Sequence, residues 1–310
     1  MTTSAIEVRA LRKAFGSKPV IDGLDLTVAR GEIFALLGPN GAGKTTTINI
    51  LTTLIPPDSG SATVSGFDVA SAPAQVRRRI SLTGQSAAVD DALSATENVV
   101  MFGRLAGLSG SAARRRAKDL LHGFGLDDVA SRRVATFSGG MRRRLDLALS
   151  FVVTPEVLFL DEPTTGLDTR SRRDLWGIIR ALASAGTTVF LTTQYLEEAD
   201  QLADRIAVLH DGRVAALGTA AELKARIGGD TVELHDSSGD LLREIATDGS
   251  VTGLRRALDE LDREGADGVI TLRRPTLDDV FLAVTGSTDS DSGASSRHDP
   301  HDTLSEGTSR

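Results

Sequence analysis

The chain carries Gly38-Pro39-Asn40-Gly41-Ala42-Gly43-Lys44-Thr45-Thr46, which matches the phosphate-loop pattern G-x-x-x-x-G-K-[ST]. A continuous apolar run, Ile33 to Leu37, precedes this loop and is typical of a short buried strand. Apolar residues at helical spacing follow Lys44, so the loop is predicted to lie between a strand and a helix. This context favours a phosphate site over a glycine turn that fits the pattern by chance.

The residue types in this loop suit a nucleoside triphosphate. Glycines at 38, 41 and 43 let the backbone curl so that successive N–H groups point inward, and the start of the helix adds its positive end. Lys44 is expected to reach the β- and γ-phosphates, and the Thr45 hydroxyl to join the ligands of Mg²⁺.

Composition narrows the class of protein. The 310 residues are 40% hydrophobic and 25% charged, as in soluble globular proteins, and they suffice for one large domain or two smaller ones. The net charge of -7 argues against sequence-independent binding to nucleic acid. The absence of cysteine excludes disulfides, thiolate metal ligands and cysteine nucleophiles, and it suits a cytoplasmic protein.

The chain has no visible signal for crossing a membrane. Its first residues lack the apolar segment of a secretory signal, and no run of about 18 apolar residues occurs. We therefore expect any membrane association to depend on a partner.

A second candidate site follows the most apolar strand-like run, Val157 to Leu160. Such a run is typical of a parallel strand buried on both faces, and the carboxyl ends of such strands are where open α/β sheets bind ligands. Asp161 is expected to hold Mg²⁺ through its water shell, and Glu162 to orient or deprotonate the attacking water. A solvated acidic turn is the alternative, disfavoured by the phosphate loop in the same chain.

Residues 94–124 have helical periodicity, and a helix is predicted over Met141–Val153 after the turn Ser138-Gly139-Gly140. The N–H groups at that helix start could bind an anion, although Ser-Gly-Gly alone is also common in linkers. Arginine runs at 77–79, 114–116 and 142–144 favour solvated faces or partner contacts over a nucleic-acid surface. The candidate core positions in residues 94–124 are Val99, Val100, Phe102, Leu105, Leu120 and Leu121.

The pattern of predicted strands and helices changes after residue 227. Strands at 231–234 and 269–272 and helices at 251–262 and 276–284 predict a small α+β domain over 228–286. Residues 287–310 are rich in Ser, Asp, Gly and Thr and are predicted to be disordered.

Together the motifs resemble the ATP-binding cassette (ABC) family. The phosphate loop, Phe137-Ser138-Gly139-Gly140-Met141 and Leu158-Phe159-Leu160-Asp161-Glu162-Pro163 occur in the family's order, within a resemblance that covers roughly residues 5 to 225. The resemblance implies an α/β fold of the P-loop NTPase type over residues 1–227. Its parts are a RecA-like core, an antiparallel β subdomain and a helical signature subdomain at about 90–153.

The resemblance also implies roles for single residues. Phe15, which alone would suit a core position, is expected to stack on adenine. Gln85 is expected to join Thr45 and Asp161 around Mg²⁺ and to sense the membrane partner. Glu162 resembles the catalytic glutamate.

The remaining roles concern a dimer. Ser138, Gly139 and Gly140 are expected to close on the ATP of the opposite subunit, and Asp168, also a candidate helix N-cap, to communicate across a homodimer.

The sequence departs from the family pattern in two places. Met141 replaces the usual glutamine of the signature, and Gln194 occupies the position of the switch histidine. An amide can donate to a γ-phosphate but cannot carry positive charge. With the segment from Arg274 to Gly286, Gln194 makes the chain similar to the daunorubicin/doxorubicin-resistance ATP-binding subunits of actinobacterial drug exporters.

That likeness implies an ATPase subunit at the cytoplasmic face of the membrane, bound to a separate ABC-2-type permease. The alternatives are a soluble cassette protein that regulates translation or chromosomes, and an exporter of a lipid or polysaccharide. A kinase is a third class, against which the Ser-Gly-Gly signature and Glu162 argue.

Overall fold

A computed structural model of the protein describes residues 4–84, 88–264 and 267–286. The strands are β1 (Ser4–Phe15), β2 (Lys18–Ala29), β3 (Ile33–Leu37), β4 (Ser59–Val64), β5 (Phe67–Asp68), β6 (Ile80–Thr83), β7 (Val157–Asp161), β8 (Thr188–Thr193), β9 (Arg205–His210), β10 (Arg213–Gly218), β11 (Asp230–His235), β12 (Leu241–Thr247) and β13 (Val269–Arg273). The α-helices are α1 (Lys44–Leu51), α2 (Pro73–Arg77), α3 (Ala95–Leu105), α4 (Gly110–Gly123), α5 (Gly139–Ser150), α6 (Thr169–Ser184), α7 (Leu196–Leu202), α8 (Ala220–Ile227), α9 (Val251–Arg263) and α10 (Leu277–Gly286).

The central sheet has the strand order β10-β9-β3-β8-β7-β6, and all of its neighbouring pairs are parallel except β9 and β10. Every residue of β3, β7 and β8 is buried, as their apolar sequences predict. Register pairs Leu37 with Thr193 and Asp161 with Thr192. The phosphate loop and the acidic strand end therefore lie on either side of the end of β8.

An antiparallel sheet of order β2-β1-β4-β5 packs on one face of the central sheet. Their shared core includes Phe34, Phe159 and Phe190, with Phe190 ring centroids 5.6 Å from each of the other two. The predicted α/β fold, with a parallel sheet and an antiparallel subdomain, is confirmed.

Helices α3, α4 and α5 share a core with the opposite face of the central sheet. Val99, Leu120 and Leu121 are buried there as predicted, and Val100 and Phe102 are half-buried. The prediction for Leu105 is wrong because it is the last residue of α3 and its side chain is 77% exposed. Within the described residues, no helix is both long and apolar enough to cross a membrane.

A third sheet, of order β12-β11-β13, packs against α9 around the buried Val232, Leu234, Ala257 and Leu261. The sequence does not predict strand β12, because its residues are mostly exposed and lack a buried alternation. Helix α10 instead packs on α7 and α8. The predicted disordered segment, 287–310, lies outside the described residues.

Candidate functional site

The phosphate loop leaves β3 under close steric constraint. A Cβ at Gly38 would lie 2.5 Å from the carbonyl oxygen of Leu209, and one at Gly43 would lie 2.7 Å from that of Val20. Gly43 also has φ +106° as the N-cap of α1, a left-handed conformation that favours glycine. Both positions therefore require glycine.

Lys44 occupies the centre of this loop. Its Nζ donates to the carbonyl oxygens of Gly38, at 2.9 Å, and Pro39, at 3.0 Å, and lies 3.4 Å from Oε1 of Glu162. The side chain is only 4% exposed. A buried cation is thus held between the loop and the end of β7.

Two oxygen-bearing side chains meet beside Lys44. Thr45 Oγ1 lies 3.3 Å from Oδ1 of Asp161, which also accepts a 2.6 Å hydrogen bond from Thr192 Oγ1. No group of three or more His, Cys, Asp or Glu side chains among the described residues could hold a metal alone. One hydroxyl and one carboxylate fit Mg²⁺, which usually takes few protein ligands and completes its shell with phosphates and water.

Glu162 has a left-handed backbone, with φ +47°. Its N–H donates to the carbonyl oxygen of Thr192 at 3.1 Å and lies 3.2 Å from the hydroxyl oxygen of the same residue. Thr165 Oγ1 donates to Oε2 of Glu162 at 3.3 Å. Strain of this kind, for a residue other than glycine, persists only where neighbouring contacts hold it.

A depression of about 420 Å³ lies over the loop, lined by residues within 40–46 together with Phe15, Lys18 and Glu162. Phe15 ends β1 and is 54% exposed. An exposed aromatic ring at the mouth of a phosphate loop has the placement that stacking on a base requires.

The signature lies at the start of α5. Ser138 and Gly139 are exposed, whereas Gly140 is buried against α6 and a Cβ there would lie 2.4 Å from Ser171 Oγ. The Ser138 side chain caps α5 by accepting from Met141 N. None of these signature residues is among the described residues that line the phosphate-loop depression.

Asp168 is the N-cap of α6, as predicted, and is exposed. It accepts hydrogen bonds from Ser171 N at 2.9 Å and Ser171 Oγ at 2.8 Å, and these bonds lower the pKa of its carboxyl. Ser171 therefore links Gly140 to Asp168. The spacing Asp168-x-x-Ser171 is the only sequence signal for this link.

The predicted site contains two glutamines, Gln194 and Gln85. Gln194 directly follows β8 and is half-buried, at the same edge as Asp161 and the loop. Gln85 lies outside the described residues.

The arginine runs are predicted to lie on solvated or partner-facing surfaces, and for Arg143 this prediction is wrong. Its side chain is 11% exposed and bonds to the backbone near the end of β7. The helical position alone could not distinguish it from its neighbours, although Asp146 three residues later is a signal for an ion pair.

The chain is similar to known proteins over most of its length. Residues 21–165 match the family described as ABC transporter. The daunorubicin/doxorubicin resistance ATP-binding protein DrrA of Streptomyces peucetius is 53% identical, over 92% of this chain and 93% of that protein. The Nod factor export ATP-binding protein I of Burkholderia lata is 39% identical, over 92% and 98%. A solved ATP-binding subunit of an ABC transporter matches with TM-score 0.63 and 30% identity, over 72% of this chain and 92% of that one.

Proposed function

The chain belongs to the ABC transporter family as an ATP-binding ATPase subunit, and from that premise we propose that it powers drug export through a separate membrane permease. The similarity to a daunorubicin/doxorubicin resistance protein, at 53% identity over nearly the full length of both chains, supports this cargo class. The predicted family and its cassette fold are thereby confirmed. The proposed location is the cytoplasmic face of the membrane, through an ABC-2-type permease.

The observation that best supports ATP hydrolysis is the 3.4 Å distance between Lys44 Nζ and Oε1 of Glu162. Backbone N–H groups of residues 40–46 bind the phosphates, and Lys44 exchanges its contacts with Gly38 and Pro39 for the β- and γ-phosphates. Phe15 stacks on the adenine.

The attacking water is positioned by residues at the ends of β7 and β8. Glu162 orients it and accepts its proton, while the Gln194 amide donates to the γ-phosphate. Thr45 and Asp161, with Gln85, would hold Mg²⁺, which neutralises charge on the phosphates.

The proposed working unit is a head-to-tail homodimer. Ser138 and Gly139 are exposed and do not line the phosphate-loop depression of their own chain, as far as its described residues define it. In the dimer, Ser138, Gly139 and Gly140 close on the ATP of the second copy, and Asp168 communicates across the interface. Binding closes the pair and hydrolysis reopens it.

Substitution Glu162→Gln tests the hydrolytic role. The variant should still bind ATP and accumulate a dimer, while phosphate release falls by about 10²-fold or more because the general base is lost. Phosphate release and size-exclusion chromatography with ATP measure both effects. Glu156→Gln is the matched control, because Glu156 precedes β7 and pairs with Arg30 and Arg79 at the surface. Unchanged turnover in Glu162→Gln would remove Glu162 from this role.

The transport role is tested in cells that express the chain with its permease. Affinity capture should retain a membrane protein with several spans, and doxorubicin accumulation should rise when Lys44→Ala replaces the native chain. Failure to capture a permease would favour a soluble cassette protein. The similarity to a Nod factor export protein makes export of another cargo the second candidate function. This function would be favoured if the native chain hydrolyses ATP but Lys44→Ala leaves doxorubicin accumulation unchanged.

A further inference from the structure

Arg143, on the second turn of α5, bonds to backbone outside its own helix. Its Nε donates to the carbonyl oxygen of Pro163 at 2.8 Å, and its Nη1 donates to that of Gly84 at 2.7 Å. Its Nη2 lies 3.4 Å from the carbonyl oxygen of Asp161. One guanidinium thus connects α5 to both sides of Glu162 and to the backbone after β6.

Asp146 completes the contact from the next turn of α5. Its Oδ2 lies 3.2 Å from Arg143 Nη1, and its Oδ1 accepts a 2.8 Å hydrogen bond from the N–H of Ala88. Burial lowers the pKa of Arg143 and raises that of Asp146. The pair therefore holds the backbone at Gly84 and at Ala88, with each charge compensated by the other.

The geometry indicates more than a contribution to stability. Buried ion pairs can often be replaced by apolar residues of similar volume with little loss of stability. Here, however, a planar fork of donors fixes the distance between the start of α5 and the end of β7, which a flexible or apolar side chain cannot do. The start of α5 is the signature, and the end of β7 carries Asp161 and Glu162.

We propose that Arg143 and Asp146 form a positioning pair that holds the signature in fixed relation to Asp161 and Glu162 of the same chain. This proposal rests on the proposed function, in which the signature serves the ATP of the second copy while the carboxylates serve the chain's own ATP. Loss of the pair then disturbs both sites of the dimer without removing a residue that touches ATP.

The first test compares Arg143→Lys with the native chain. Lysine keeps a positive charge beside Asp146, but its single ammonium group cannot reproduce the fork that reaches Pro163, Gly84 and Asp161. The variant should fold and keep its ATP Kd within about threefold, while kcat falls on the order of tenfold or more through misplacement. Native kcat in Arg143→Lys would overturn the proposal.

A double variant, Arg143→Met with Asp146→Leu, separates positioning from stability. Removing both charges should keep the thermal unfolding temperature close to the native value, whereas Arg143→Met alone leaves Asp146 buried and unpaired. Positioning predicts that kcat stays low in the double variant although stability returns. If the double variant recovers native kcat together with native stability, the role of Arg143 and Asp146 is merely structural.

Arg116→Met is the matched control. Arg116 also donates to backbone carbonyl oxygens, those of Phe151 at 2.6 Å and Val152 at 3.3 Å, but these lie beyond the opposite end of α5. Its kcat should stay close to the native value. An equal loss in Arg116→Met would show that any anchor of α5 suffices, which contradicts the proposal.

Mixed dimers locate the effect. When one copy carries Glu162→Gln, only the site containing the other copy's Glu162 turns over, and Arg143→Lys can then be placed in either copy. Arg143→Lys should lower turnover in either copy. A loss of turnover from only one of the two placements would overturn the proposed positioning pair. A native chain that does not bind ATP would instead refute the proposed function, so the two failures are distinguishable.

Discussion

At the scale of single residues, Glu198 of α7 has an unusual environment. It is fully buried, and Trp176 Nε1 donates to its Oε1 at 3.2 Å. Burial raises the pKa of this carboxyl, against the opposing effects of hydroxyls from Thr193 and Thr164, of Trp176 and of the Arg172 charge. Since the folded state then binds this proton more tightly than the unfolded state, the stabilisation is present at acid pH. It is lost as the pH rises through the folded-state pKa.

Substitution Glu198→Gln should remove this pH dependence, because glutamine stays neutral and can still accept from Trp176. The unfolding temperature of the variant, relative to the native chain, should rise as the pH increases from 4.5, the ordinary pKa of a glutamic acid, through the raised pKa of the folded state. Glu197→Gln is the control, since Glu197 is exposed and its ion pair with Arg172 should contribute less than about 1 kcal/mol. A difference that is constant across this pH range would contradict the assignment.

Gly140 and Gly139 offer a matched pair of substitutions. A Cβ at Gly140 would overlap Ser171, whereas one at Gly139 would lie 3.8 Å from its nearest neighbour, Leu167 Cδ2. Gly140→Ala should therefore lower the free energy of unfolding by about 1–3 kcal/mol through overpacking. Gly139→Ala should change it much less. Urea denaturation of both variants measures this, and equal effects would show that Ser171 moves aside freely.

At the scale of elements, α10 shows how the last helix of the described residues is attached. Leu277 and Val280 are buried in the same core as α3 to α7, and α10 packs on α7 and α8. Sheet β12-β11-β13 has its separate small core with α9. The boundary predicted at residue 228 remains a prediction, and α10, although it follows β13 in the chain, packs in the large core and not in the small one.

Two leucines on α10 test this attachment. Leu277→Ala should lower the free energy of unfolding by about 2–5 kcal/mol, as expected when a buried leucine is truncated. Leu282→Ala, at a side chain that is 67% exposed, should stay within about 0.5 kcal/mol. Chemical denaturation compares the two. Similar losses for both would mean that α10 does not pack as described.

At the scale of the whole molecule, the proposed head-to-tail dimer makes a quantitative prediction. Mixing Lys44→Ala chains with Ser138→Arg chains gives a heterodimer in which one site carries both lesions and the other carries none. Such a heterodimer should retain about half of the native turnover, because each site combines the loop of one copy with the signature of the other. Phosphate release from doubly tagged, purified heterodimers measures this.

The outcome is unambiguous because both homodimers should be inactive. If each site were instead built within one chain, the heterodimer would contain two damaged sites and would also be inactive. An inactive heterodimer that still binds ATP would therefore contradict the head-to-tail arrangement.

Local patterns in the sequence determined the phosphate loop, the buried strands Ile33–Leu37 and Val157–Asp161, and the presence of Asp161 and Glu162 at a strand end. These features follow from the order of neighbouring residues, which sets periodicity, turns and strand ends. Such patterns failed for Leu105 because the end of α3 depends on what packs beyond it.

Only the tertiary structure decided which side chains meet. The approach of Lys44 to Glu162, the fit of Gly140 against Ser171 and the burial of Arg143 all join residues from separate elements. In the sequence, only Asp146 at i+3 distinguishes Arg143 from Arg142 and Arg144, and a helical position does not say which neighbour covers a side chain. Packing between elements determines that neighbour. Contacts between residues far apart in the sequence therefore could not be predicted from the sequence alone.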